Sequence, residues 1–226
     1  MTHRRAGGDP WKQGEHILIS GPTGSGKTTM MSKLVRLRKR VVVFVTKGHD
    51  STIEGEFKGW TVLEEWPKDG PKSWQTKILL RPKHVPDNMG ATIQRMREVF
   101  YHALNRINSQ GYWTVVIDES LLFNDPKFIG LAKEIGFLHY HGRSNGITMV
   151  NLTQRPAWIP TVIYSSVTHA WIARTRDAND LKRLGELGGI DTKSVQHNVT
   201  QLPTRQDYLY VNPQGDALPA IVNTRK

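Results

Sequence analysis

Eight residues, Gly21-Pro22-Thr23-Gly24-Ser25-Gly26-Lys27-Thr28, constrain this chain more than any other stretch. They fill every fixed position of the pattern G-x-x-x-x-G-K-[ST], a glycine loop that cradles phosphates. The flanks matter as much as the match. His16-Ile17-Leu18-Ile19-Ser20 is a short apolar run of the buried-strand kind. Thr29 to Lys39 carries Met30, Met31, Leu34, Val35 and Leu37 at helical spacing. In a strand–loop–helix unit, glycines let backbone N–H groups curl around an anion, and the helix N-terminus adds partial positive charge. Gly21, Pro22, Thr23, Gly24, Ser25, Gly26, Lys27, Thr28 and the next residue, Thr29, are the expected nucleotide-binding set. Lys27 is expected at the β- and γ-phosphates of ATP, and Thr28 at Mg²⁺.

The rest of the chain predicts an α/β fold. Val41 to Val45 reads as a buried strand, and Lys77 to Leu80 as another. Met89 to Asn108 reads as an amphipathic helix with Ile93, Met96, Val99, Phe100, Ala103, Leu104 and Ile107 on one face. Trp113 to Ile117, Ile147 to Leu152 and Val167 to Ala173 read as further strands. A helix is expected within Pro126 to His141, with Phe128, Leu131, Ile135 and Leu138 inward. Asp177 reads as the N-cap of a short helix that uses Leu181, Leu184 and Leu187 and stops at Gly188-Gly189. Residues 46–76, rich in glycine and proline, read as a peripheral excursion. Tyr208 to Val211 and Leu218 to Val222, around the turn residues Asn212-Pro213-Gln214-Gly215, predict a C-terminal β-hairpin. Strands alternating with helices imply a mostly parallel sheet covered on both faces, with ligands at the carboxyl ends of its strands. Residues 1–14 are expected to be a flexible basic lead-in, and residues 15–226 one domain.

A second motif follows the strand ending at Ile117. Asp118-Glu119 places an aspartate where it can hold Mg²⁺ and a glutamate where it can deprotonate an attacking water. A third, Thr153-Gln154-Arg155-Pro156, ends another strand. Gln154 there can sense the γ-phosphate or help place the water. Taken alone, either stretch is also what an ordinary strand end looks like, with Pro156 as a breaker.

The chain has 226 residues and a formal net charge of +11, which favours a polyanionic partner such as nucleic acid. Its densest basic cluster is Lys33, Arg36, Arg38, Lys39 and Arg40, expected to be a solvated helix end ahead of a dedicated DNA contact. It has no cysteine, so disulfide and thiol chemistry are excluded. No apolar run reaches the length of a membrane span, and the first residues lack the apolar stretch of a signal peptide. The nine histidines are scattered and read as surface or packing residues.

These motifs together resemble the HerA–FtsK superfamily of DNA-pumping ATPases. They are most similar to the small genome-packaging ATPases of membrane-containing icosahedral viruses. The residues that carry the resemblance are Gly21 to Thr28, Asp118-Glu119, His141-Gly142-Arg143-Ser144-Asn145-Gly146-Ile147 and Thr153-Gln154-Arg155-Pro156. The resemblance implies a RecA-like core and a homo-oligomeric ring of six or five subunits with ATP at each interface. It implies an arginine finger at Arg143, with Arg155 as the competitor. It further implies double-stranded DNA as cargo, a capsid vertex or viral membrane proteins as docking partners, and a location in the host cytoplasm or the virion. The larger family members carry added membrane spans or DNA-orienting domains, and this chain resembles their motor core alone. Two other functions share the glycine loop: a small-molecule kinase and a nucleotide-gated phage assembly or secretion protein. Glu119, the Thr-Gln-Arg-Pro series and the basic charge weigh against the first.

Overall fold

A computed structural model describes residues 11–187, 191–215 and 219–224. The β-branched runs become the middle of one nine-stranded sheet. In chain order the elements are β1 (His16–Ser20), α1 (Lys27–Val35), β2 (Val41–Phe44), α2 (Ser51–Glu56), β3 (Thr61–Leu63) and β4 (Lys77–Leu80). There follow α3 (Met89–Gln110), β5 (Thr114–Ile117), α4 (Ser120–Asn124), α5 (Ala132–His141) and β6 (Thr148–Thr153). The chain closes with α6 (Thr161–Ser166), β7 (Val167–Ala173), α7 (Ala178–Leu184), α8 (Thr192–Thr200), β8 (Asp207–Val211) and β9 (Ala220–Asn223). The strand order is β3-β4-β2-β5-β6-β1-β7-β8-β9. The first seven in that order are parallel, and β8 and β9 form the antiparallel hairpin at the edge.

Strand periodicity divides the core between the two faces. Ile17, Ile19, Val41, Val43, Val116, Val150 and Leu152 bury one layer with Met31 and Val35 of α1 and Ile53 of α2. Leu18, Val42, Phe44, Val115, Ile117 and Met149 bury the other, with Phe100, Leu104 and Ile107 of α3 and Ile135 and Leu138 of α5. Helices therefore cover both faces, as expected. The α3 face is the thicker, with Phe44 stacked on Phe100 at 4.7 Å between ring centroids.

Several expectations change. Residues 46–76 are not merely peripheral, because they supply α2 and β3, and β3 extends the parallel sheet beside β4. The periodicity is hidden there because β3 is three residues long and half-exposed. Leu37 lies beyond the end of α1 and is exposed. Of the expected lead-in, residues 1–10 lie outside the described residues, whereas 11–14 are packed. Trp11 is buried, Gln13 Nε2 donates to the Gly146 carbonyl at 2.8 Å, and the Gly14 N–H donates to Thr148 Oγ1 at 2.8 Å. The basic cluster is divided: Lys33, Arg36 and Lys39 are exposed, whereas Arg38 and Arg40 lie over aromatic rings. The Arg38 guanidinium is buried 3.4 Å over the Trp11 ring, and Arg40 lies 4.2 Å over Trp113. Arg36 donates to the Glu56 carbonyl and Lys33 to the Thr224 carbonyl. It is thus neither a wholly solvated helix end nor a free basic face.

Asp177 does cap α7, its carboxylate accepting from the N–H groups of Asn179 and Asp180, a contact worth about 1 kcal/mol. The helix ends at Leu184, with Gly185 as its C-cap. The expected stop at Gly188-Gly189 lies outside the described residues, as does Leu218 of the hairpin. The sequence pattern did not show α4, α6 or α8, none longer than nine residues.

Candidate active site

The site is built on the carboxyl ends of β1, β6 and β5, which lie side by side with β6 in the middle. β1 delivers the glycine loop. Gly26, the N-cap of α1, has φ 87°, a left-handed conformation that a side chain resists. Gly21 is held close to its neighbours: an added Cβ would meet the Ala173 methyl at 2.6 Å and Ser25 Oγ at 2.8 Å. The loop thus needs glycine for conformation at one end and for space at the other.

β5 delivers Asp118 and Glu119, and β6 delivers Gln154. These groups meet. Thr23 Oγ1 donates to Gln154 Oε1 at 2.7 Å, and Gln154 Nε2 donates to Glu119 Oε2 at 3.0 Å. One amide therefore links the tip of the loop to the acid after β5. Lys27 Nζ lies on the loop itself, donating to the carbonyls of Gly21 at 2.7 Å and Pro22 at 3.0 Å.

A cleft of about 840 Å³ opens over these residues, with Thr23, Gly24, Gly26, Lys27, Thr28, Thr29, Asp118, Glu119 and Gln154 all in its wall. Burial pushes the Asp118 carboxyl above its ordinary 3.8; the Lys47 ammonium opposes that shift, Asp50 adds to it and Lys27 opposes it. Burial likewise pushes Glu119 above 4.5, against the Gln154 hydrogen bond. Lys27 is pushed below 10.5 by burial, with Glu119 and Asp118 holding it up. A partly desolvated carboxylate and ammonium facing one cleft are the groups that phosphoryl chemistry requires.

The remaining expected residues fall elsewhere. Ser25 is buried under the loop, its Oγ 3.3 Å from the Tyr208 hydroxyl of β8, so it supports the loop from behind. Thr29 reaches the cleft wall, but its hydroxyl donates to Glu56 of α2 at 3.0 Å. Arg143 is exposed in the 3-10 turn Gly142–Asn145, before β6 begins. Six strand residues, about 20 Å, separate it from the end that carries Gln154. Arg155 does reach the cleft, where it is held by Asp177 at 3.0 Å and the buried Asp180 at 3.1 Å, over the Trp158 ring.

Other residues were not foreseen. Lys47 and Asp50, paired at 2.8 Å, stand beside Asp118 just past β2. The rule that ligands sit at strand carboxyl ends would have found them. The far wall of the cleft is apolar, made by Ile93, Met96, Leu121, Leu122, Phe128 and Ile129. Phe128 was expected inside a helix. It lies before α5, is 42% exposed and faces the cleft, because Asp125 caps the turn and its carboxylate accepts the Lys127 N–H at 2.8 Å.

The fold and the loop define a P-loop nucleotide-binding domain. The AAA ATPase domain family matches residues 3–120, just over half of the chain. The chain belongs to that family: it binds ATP and is an ATPase. No curated protein sequence matches it. Among solved structures it is similar to the genome packaging NTPase B204 of Sulfolobus turreted icosahedral virus 2 in complex with AMPPCP. That match has a TM-score of 0.64 at 12% identity and covers 92% of this chain and 97% of the other. It is also similar to B204, the DNA-packaging ATPase of Sulfolobus turreted icosahedral virus (TM-score 0.63, 15% identity, 93% and 98% covered). A third similar structure is the cytoplasmic domain of the Thermomonospora curvata type VII secretion ATPase EccC (TM-score 0.60, 16% identity), covering 94% of this chain and 25% of that one. At such identities the likeness is one of fold, and the fold accords with the HerA–FtsK resemblance of the motifs.

Proposed function

We propose that this chain is an ATP-driven translocase of double-stranded DNA, a genome-packaging motor that works as a homo-oligomeric ring. The observation that carries the proposal is the Thr23–Gln154–Glu119 hydrogen-bond chain. It ties the phosphate loop to a half-buried acid through one amide. That arrangement suits hydrolysis, since a kinase must exclude the water that Glu119 is placed to activate.

In this reading Lys27 leaves the Gly21 and Pro22 carbonyls for the β- and γ-phosphates. Glu119 takes the proton of the attacking water, and its raised affinity for protons suits it to do so. Gln154 orients that water and registers the γ-phosphate through Thr23. Thr28 and Asp118 face the same cleft with one hydroxyl and one carboxylate, a donor set that suits Mg²⁺ once phosphates complete it. When bound there, Mg²⁺ would neutralise negative charge that builds up on the phosphates during transfer. Arg143 is exposed and too far along β6 to reach its own cleft, so it serves a neighbouring subunit. Arg155, held by two carboxylates, serves to brace the loop after β6.

The charge of +11 suits sequence-tolerant contacts to DNA phosphates. Solved structures of this fold include both a DNA-packaging ATPase and a secretion ATPase, and the charge is what favours DNA over protein as cargo. A capsid vertex or a viral membrane protein would then anchor the ring during assembly in the host cytoplasm. ATPase turnover measured with and without double-stranded DNA, over a series of salt concentrations, tests the proposal. Turnover should rise with DNA of any sequence, and the rise should vanish steeply as salt increases. No stimulation and no DNA affinity at low salt would leave a protein-moving ATPase as the better account.

A further inference from the structure

β6 carries a carboxamide in its middle. Asn151 is fully buried, on the face of the sheet that packs against α3 and α5. Burying an amide costs free energy unless its donors and acceptors are met. Here they are met by a connected set of groups, of which Ser120 and His139 are themselves buried. Ser120 Oγ donates to Asn151 Oδ1 at 3.3 Å, and Asn151 Nδ2 donates to His139 Nε2 at 2.9 Å. His139 Nδ1 donates to Ser166 Oγ at 2.7 Å, and that hydroxyl donates onward to the Val162 carbonyl at 2.8 Å. Since the serine hydroxyl is spent on a carbonyl, His139 must carry its proton on Nδ1 and accept on Nε2. Burial first, and His16 beside it, keep His139 neutral far below its ordinary 6.5. The amide can then face only one way: reversed, its oxygen would meet the lone pair of His139.

What this fixed amide holds is the residue next to Glu119. Ser120 opens α4, with Glu119 as its N-cap. β6 grips the Glu119 segment at two points. Gln154 holds the carboxylate, and Asn151, three residues earlier, holds the chain as it leaves through Ser120. We propose that Asn151 and Ser120 are positioning residues for Glu119, with His139 setting the amide. This rests on Glu119 being the general base.

The test uses full-length Ser120→Ala and Asn151→Leu, each alone and combined with Glu119→Gln, under single-turnover conditions. Nucleotide Kd and Tm are measured alongside. In the wild-type background the hydrolysis step should slow roughly tenfold or more, the scale of a misplaced catalytic group, while nucleotide Kd stays within about twofold. In the Glu119→Gln background the same substitutions should add no further slowing, because the group they position is gone. A lowered Tm with unchanged hydrolysis would overturn the proposal, and so would equal slowing in both backgrounds. If Glu119→Gln alone hydrolyses ATP at the wild-type rate, the assignment of the base has failed instead, and the two failures are told apart by that single variant.

Discussion

The two ends of β6 are built on opposite plans. At the carboxyl end, Gln154 and Arg155 stand at an open cleft among partly buried charges, and burial shifts the Asp118, Glu119 and Lys27 equilibria away from their ordinary values. At the amino end, polar groups are sealed and matched. His16 Nδ1 accepts the Met149 N–H at 3.1 Å and its Nε2 donates to the His139 carbonyl at 3.2 Å, while burial pulls its pKa down to about 4. There Arg143 alone among the proposed catalytic groups faces outward, packed against Gly14 before β1 begins. The difference separates a centre made to change its bonding from a platform made to stay fixed.

The strongest way to break this contrast is at the carboxyl end. Lys27→Ala should abolish measurable ATP hydrolysis, because Gly21 to Thr28 has no other cationic side chain to neutralise the transferring phosphoryl group; hydrolysis at the wild-type rate would unseat the whole centre. Next comes the amino end. Arg143→Ala should slow turnover by about a thousandfold with nucleotide binding intact, the scale of an arginine supplied across an interface. Mixing it with Lys27→Ala subunits should regain some activity, since an intact loop then meets an intact arginine. Arg155→Ala should instead lower Tm, by the equivalent of about 1 kcal/mol. The reverse pattern would exchange the roles of the two arginines.

Glu119→Gln should lower turnover by about a hundredfold while nucleotide binding persists. Loss of nucleotide binding with turnover per bound ATP unchanged would make Glu119 a ligand or a strut. The smallest effect is on pH. A raised carboxyl loses its charge at higher pH than usual, so the acid limb of kcat/KM should lie above 4.5, the ordinary value for glutamate. The same sign applies to stability: Asp118 and Glu119 bind protons more readily folded than unfolded. Their contribution is complete at low pH and lost as pH rises through the folded values. An acid limb at or below the ordinary glutamate value would mean that Glu119 is not desolvated in the working enzyme.

The loop, eight of the nine strands and the acids after β5 were legible because each is fixed by local chemistry: glycine conformation, apolar and β-branched runs, and strand-end position. What was not legible depends on partners far away in sequence. Arg38 reads as a surface cation until Trp11 is folded beneath it. Phe128 reads as core until a turn, rather than a helix, is seen to carry it. Asn151 looks like an odd residue in an apolar strand until His139 and Ser120 arrive from two helices. Arg143 and Arg155 both read as loop arginines, and only the fold shows that Arg155 meets the cleft and two carboxylates while Arg143 lies exposed at the other end of β6.

The strand order also dictates a schedule of assembly. β2 pairs with β4 on one side and β5 on the other, all within residues 41–117, and α3 closes over them. β1 leaves the ribosome earlier, yet it lies between β6 and β7, whose residues fall in 148–173. The strand that carries the glycine loop must therefore wait, unpaired, until most of the chain has been made, since distant pairings form last. A nascent chain stopped before β6 would carry the glycine loop on a strand that has no native partner.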